Sequence, residues 1–319
     1  MKDSAQFSMG EALVYLVTGG SGFIGEHIVE LLCKEDYVSE VRVFDSVAAT
    51  TCVTVMKGDI RDYALLLSAM RGVHVVIHTA AIVDYTDTVP FREMKAVNVA
   101  GKRFKYPDHL LLLFIYLRGT EDTKYSGEVE LPYGKTKAMA EKLVLEANGK
   151  EVQKGGSNFL AAPSMVDRLP SAAWNVAWMH VLAARNLQLK PDVLAGQVYY
   201  SYDDTPTRKG FLVRYQLLSG MDPSIRLGSR IPYWKVWLQI YVYRIIRILL
   251  YPFWKPQPFL NLPLLNTITT TFSYETDKAF RHFGYTPLYS WGESKRRTTE
   301  WLKSATKNSR SHQHHGKET

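Results

Sequence analysis

Between Leu13 and Gly25 the chain reads L-V-Y-L-V-T-G-G-S-G-F-I-G, and few folds accommodate that order. The apolar, β-branched run Leu13-Val14-Tyr15-Leu16-Val17 predicts a buried strand, which stops at Thr18 where Gly19, Gly20, Gly22 and Gly25 crowd together. A strand, a tight turn and a helix (Glu26 to Leu32) are the implied elements. Glycine in the turn permits positive φ and lets a ligand approach the backbone, while Gly25 lets the helix pack closely on the strand. Free N–H groups at the helix start then suit a pyrophosphate. Gly20, Gly22 and Gly25 complete a G-x-G-x-x-G spacing, which is weak by itself. A second apolar run, Val41-Arg42-Val43-Phe44, ends in Asp45, twenty residues beyond Gly25, where a carboxylate accepts hydrogen bonds from an adenosine ribose. Glycines and acid together predict a dinucleotide site rather than an ordinary glycine turn.

The following segments extend the pattern. Cys52-Val53-Thr54-Val55-Met56 is strand-like and closes in Lys57-Gly58-Asp59-Ile60-Arg61-Asp62; Leu65 to Met70 has helical spacing, and Val73 to His78 reads as a fourth, buried strand. Strands alternating with short helices predict an α/β chain with a doubly wound parallel sheet. Ligands of such sheets bind at the carboxyl ends of the strands, here Gly19 to Gly25, Asp45, Asp59-Ile60 and Thr79-Ala80-Ala81. The small residues after His78 let a dinucleotide lie against the backbone. Asn98 falls in a helical pattern, where it either bridges backbone groups near the site or is simply exposed.

Composition narrows the partners. The 319 residues suffice for one large domain with a substrate-binding extension or for two small domains, and 46% apolar with 22% charged residues is ordinary for a globular chain. The net charge of +8 is not arranged as a basic stripe interleaved with aromatics, so nucleic acid is not expected. Cys33 and Cys52 form neither a metal spacing nor a disulfide framework, which favours a reducing compartment. The polar first ten residues argue against a cleaved signal peptide. His312, His314 and His315 could chelate a metal, but their Ser/Lys/Gln-rich tail predicts disorder.

Tyr133 and Lys137 stand four apart in a helical stretch running to Val144. They therefore share a face, whereas Lys135 points elsewhere. A cation beside a phenol favours phenolate and draws its pKa from about 10 toward working pH, which makes Tyr133 a usable general acid/base.

Thr18 to Gly25, Gly58-Asp59-Ile60, His78-Thr79-Ala80-Ala81, Asn98 and Tyr133-Gly134-Lys135-Thr136-Lys137 together resemble the extended short-chain dehydrogenases. Val75 to Ala80, Glu141 to Gly149, Asn175 to Ala184 and Thr276 to Tyr285 are similar to the 3β-hydroxysteroid dehydrogenase/isomerase family, in particular the branch acting on C27 bile-acid precursors. The resemblance implies a Rossmann-type domain over 11–173 that binds NAD, a substrate-binding and membrane-associated region over 174–302, and a disordered basic tail over 303–319. It implies that Gly19, Gly22, Phe23, Ile24 and Gly25 meet the pyrophosphate, Asp45 the adenosine ribose, Asp59 and Ile60 the adenine, and that Thr79, Ala80, Ala81 and Asn98 complete the cofactor side. Tyr133 then removes the proton of a 3β-hydroxyl, and Lys137 also reaches the nicotinamide ribose. A steroid or sterol substrate and the endoplasmic reticulum membrane, with the catalytic domain facing a reducing compartment, follow from the same resemblance, which leaves room for a homo-oligomer.

Two departures stand out. The family's active-site strand ends in a serine of Thr-Ser-Ser-like context, but Leu111 to Tyr116 runs into Leu117-Arg118-Gly119-Thr120, and the nearest serine, Ser126, does not match. One lost transition-state hydrogen bond costs about 3 kcal/mol. The family's Arg-Pro-Thr-Gly-like strand is likewise replaced by Ser157 to Ala173. These losses support a second reading, a catalytically impaired, membrane-bound NAD-binding protein. Farther on, Trp174 to Asn186 is helical with His180 in its core, and Gln197 to Tyr202 is a strand of the substrate half. Val236 to Trp254 is apolar but interrupted by Arg244 and Arg247, each worth about +2.5 to +3.5 kcal/mol at a bilayer centre. A helix lying on the membrane through roughly 230–256 is expected rather than a clean span.

Overall fold

Alternation along the first strand sets the layers. In β1 (Leu13–Thr18), Leu13, Tyr15 and Val17 turn to one face and Leu16 to the other, and all are buried. The first face packs on α1 (Phe23–Leu32) and α5 (Ala173–Leu189) through Ile28, Leu31, Met179, Val181 and Leu187. The second packs with Phe44 of β2 (Val38–Asp45), Leu66 and Ala69 of α2 (Tyr63–Ala69), and Ala140 and Val144 of α4 (Pro132–Ala147). Burying one such aliphatic side chain contributes about 1.5–3 kcal/mol, so both cores reward the register that β1 adopts. The computed structural model describes residues 12–47, 53–84, 88–99, 111–116, 132–149, 160–166, 173–201, 210–229, 231–250, 253, 260–269 and 277–315.

With β3 (Thr54–Lys57), β4 (Val75–His78), β5 (Leu111–Tyr116), β6 (Leu160–Val166) and β7 (Tyr199–Ser201), the sheet has seven strands in the order β3-β2-β1-β4-β5-β6-β7. Every pairing is parallel. The order reverses between β1 and β4, where Thr18 pairs with Phe44 on one side and His78 on the other, and a crevice opens at such a switch point. The doubly wound sheet is as the sequence predicts.

Three expectations need correction. A strand does occupy 160–166, paired with β5 and β7, although its family sequence is absent: the position between two parallel neighbours requires a pairable backbone rather than one particular motif. β7 belongs to the main sheet rather than to a separate substrate half, because Tyr199 enters the first core and Tyr200 the second, closing the sheet's far edge. The tail beyond 303 continues α11 (Trp291–His315) as helix. Glu293, Arg296, Arg297 and Glu300 pair at helical spacing in its first turns, and between Glu293 and Gly316 the sequence has neither Gly nor Pro.

Beyond the sheet, α8 (Tyr233–Leu250) buries none of its residues. No helix among the described residues is long and apolar enough to cross a membrane.

Candidate active site

Gly19 leaves β1 with φ of 72°, and its N–H donates to Phe44 O at 2.9 Å. A Cβ on it would stand 2.6 Å from Ala80 N, so the backbone after β4 lies directly against the turn. Thr79 fastens the two: its Oγ1 donates to Thr18 O at 2.8 Å and to Gly19 O at 3.1 Å. Gly25 allows a second close approach, since a Cβ there would lie 2.1 Å from Gly19 O. The helix begins earlier than its sequence pattern suggests, so Phe23, Ile24 and Gly25 form its first turn, and no side chain caps it. Gly22 is exposed, and an added Cβ would meet nothing but Gly19 O at 3.2 Å. An open, uncapped helix start is a cradle for an anion.

Asp45, at the end of β2, already works for the loop. Its Oδ2 accepts from Ser21 N at 2.9 Å, and its Oδ1 accepts from Val47 N at 3.2 Å. Asp59 pairs with Arg61, whose guanidinium lowers its carboxyl below the usual carboxylate range. Ile60 sends its side chain into the core with Phe44 and Leu66. Ala81 continues the segment that Thr79 and Ala80 begin.

On the other side of β4, Asn98 ends α3 (Phe91–Asn98) and is buried. Its Oδ1 accepts from Ile82 N at 2.8 Å, while its Nδ2 donates to Ile82 O and to Thr136 Oγ1, both at 3.0 Å. Of the two readings left open, bridging is the one observed. Thr136 Oγ1 in turn donates to Tyr133 O at 2.8 Å. Backbone after β4, Asn98, Thr136 and the first turn of α4 thus form one hydrogen-bonded chain. The role of Thr136 is not visible from its neighbours in the sequence, because its partner lies in another helix; its place inside Tyr133-Gly134-Lys135-Thr136-Lys137 is the available signal.

Tyr133 is buried at the start of α4, and Lys137 Nζ lies 5.7 Å from the centroid of its ring. Burial of the ammonium lowers the Lys137 pKa to about 8. Lys135 is exposed, as its spacing predicts. A phenol and a desolvated amine on one helical face can pass a proton to or from a bound hydroxyl. Ser126 lies outside the described residues. His180 is fully buried in α5, its Nδ1 2.7 Å from Val176 O, and takes no part in this crevice.

The sequence profile of the 3-beta hydroxysteroid dehydrogenase/isomerase family matches residues 16–104, 114–163 and 170–231. The Rattus norvegicus protein named 3 beta-hydroxysteroid dehydrogenase type 7 is 38% identical over 334 residues, covering 95% of this chain and 98% of its own. The Homo sapiens protein of the same name is 35% identical over 370 residues, with 96% and 99% covered. Among solved structures, Bordetella bronchiseptica WbmF in complex with NAD+ and UDP superposes with a TM-score of 0.62 at 15% identity, over 92% of this chain and 93% of that one. The dTDP-glucose 4,6-dehydratase of Bacillus anthracis, in complex with NAD, gives 0.56 at 16% identity, covering 92% and 97%. At these identities the structural likeness speaks for the fold.

Proposed function

The chain belongs to the 3-beta hydroxysteroid dehydrogenase/isomerase family, and from that premise we propose that it oxidises the 3β-hydroxyl of a Δ5 sterol to a ketone with NAD. The observation that carries this reading is the joining of Tyr133 and Lys137, through Thr136 and Asn98, to the backbone that follows β4. The open first turn of α1 fits a pyrophosphate, and Asp45, held beside the loop at the end of β2, would accept from the adenosine ribose, which disfavours a 2′-phosphate. NAD, when bound, accepts the hydride that leaves C3. The Tyr133 oxygen takes the hydroxyl proton as the ketone forms, and the Lys137 cation stabilises the phenolate. Isomerisation of the 5,6 double bond is carried over from the family alone, with no residue assigned to it.

The substrate's solubility suggests where this happens. Trp234, Leu238, Ile245, Ile248 and Leu249 of α8 are exposed, with Arg244 among them, which supports a helix lying on the endoplasmic reticulum membrane. The absence of any serine between Tyr116 and Ser126 favours the second reading, an NAD-binding protein impaired in turnover. One experiment separates them: NADH formation by the detergent-purified chain with a 3β-hydroxy-Δ5 sterol, beside Tyr133→Phe. NADH that appears with the wild type and vanishes with the variant supports the dehydrogenase. NAD binding without NADH supports the impaired protein.

A further inference from the structure

In the dinucleotide loop Ser21 is held by Asp45 and Val47 while Gly19, Gly20 and Gly22 offer no side chain; on the helix side, Phe23 and Glu26 offer side chains that a neighbour can hold. Both are taken by α11. The Trp301 ring stands 4.2 Å from the Phe23 ring, tilted by 47°, and Trp301 Nε1 donates to Glu26 Oε2 at 3.3 Å. One turn farther along each helix the contact is repeated through an intermediary. His27 stacks on Trp174 at 4.0 Å and 16°, and the Arg297 guanidinium lies 4.9 Å from the Trp174 ring and 4.2 Å from that of Tyr289. Arg297 and Trp301 share a face of α11, as Phe23 and His27 share a face of α1. The bracing helix lies beyond residue 231, where the family match ends.

We propose that Trp301 is a positioning residue for cofactor binding, fixing the first turn of α1 so that its N–H groups converge on the pyrophosphate. The inference rests on the NAD reading above. Two effects act together. Packing on Phe23 restrains the turn that follows the glycine-rich loop. The hydrogen bond to Glu26 holds a carboxylate on the α11 side, where it competes less with an anion at the helix start. Neither group reaches the reacting atoms, so the effect belongs to NAD affinity rather than to the chemical step.

The test compares the detergent-purified full chain with Trp301→Ala, Trp301→Phe and, on an exposed position of α11, Arg296→Gln. NAD binding is read by calorimetry, steady-state constants with a 3β-hydroxy-Δ5 sterol, and hydrogen exchange at residues 23–27 without NAD. Trp301→Ala is expected to weaken NAD binding about tenfold, the size of one aromatic pair. The KM for NAD should rise in proportion while kcat and the sterol KM stay put, and exchange at 23–27 should quicken. Trp301→Phe is expected to recover most of the loss, and Arg296→Gln to behave as wild type. Unchanged NAD affinity in Trp301→Ala overturns the proposal even if the protein melts earlier, and so does an equal rise in both KM values. A wild-type chain that binds no NAD overturns the cofactor reading and this proposal with it, a result that calorimetry on the wild type alone distinguishes.

Discussion

Around the crevice at β1 and β4, the residues expected to meet a ligand also hold the protein together, whereas α8 holds almost nothing. Asp45 anchors Ser21, Thr79 ties β4 to the turn after β1, and Asn98 joins two helices to a loop. Along α8 no residue is buried, and Tyr233 reaches the neighbouring α9 (Leu262–Thr269) by one hydrogen bond to Asn266. Apolar side chains are thus spent in two ways. In the sheet they fix internal geometry and tolerate little change; on α8 they stand exposed.

The contrast can be broken in four ways, of decreasing size. Tyr133→Phe should lower turnover by about 10²–10⁴-fold with NAD affinity retained, measured by NADH formation and calorimetry. Acid should then unfold the buried region through its histidines. Burial lowers the pKa of His27 and of His180 to about 4, below the ordinary value near 6.5. The unfolded chain takes up these protons first, so stability is full above about pH 6.5 and falls as pH drops toward 4. Each histidine contributes up to about 1.4 kcal/mol per pH unit, and His180→Phe should flatten the slope in denaturant titrations.

Gly25→Ala places a methyl against Gly19 O and should cost about 1–3 kcal/mol, visible as an earlier melt. The smallest effect is expected on α8: Ile248→Ser with Leu249→Ser should change stability in detergent by less than about 0.5 kcal/mol. The same pair should weaken binding to phosphatidylcholine/phosphatidylserine vesicles in a flotation assay. A large loss of stability there would show α8 to be part of the folded core and erase the comparison.

What could be read in the sequence was whatever depends on near neighbours along the chain. The glycine turn, Asp45 and the Tyr133–Lys137 spacing are local: each needs a handful of residues in order. Features that depend on distant partners were not legible. Thr136 matters through Asn98, thirty-eight residues away. β7 was legible as a strand but not its membership of the main sheet, which rests on Tyr199 and Tyr200 meeting different cores. β6 was obscured because its family motif had gone, yet strand pairing is made by backbone and survives replacement of the letters. The helix through 303–315 inherits its order from the packed and paired turns before it, which composition does not reveal.

Asp45 carries an evolutionary consequence. One carboxylate anchors Ser21 N in the loop and, on the function proposed above, would also meet the ribose, so that cofactor choice and loop architecture would rest on the same two oxygens. A lineage drifting toward a phosphorylated dinucleotide could not simply exchange this acid for a cation, because the replacement would also release the turn that cradles the pyrophosphate. The change needs at least two coordinated substitutions, the first of which lowers fitness with either cofactor. On that reading the folding requirement of a loop would entrench redox specificity.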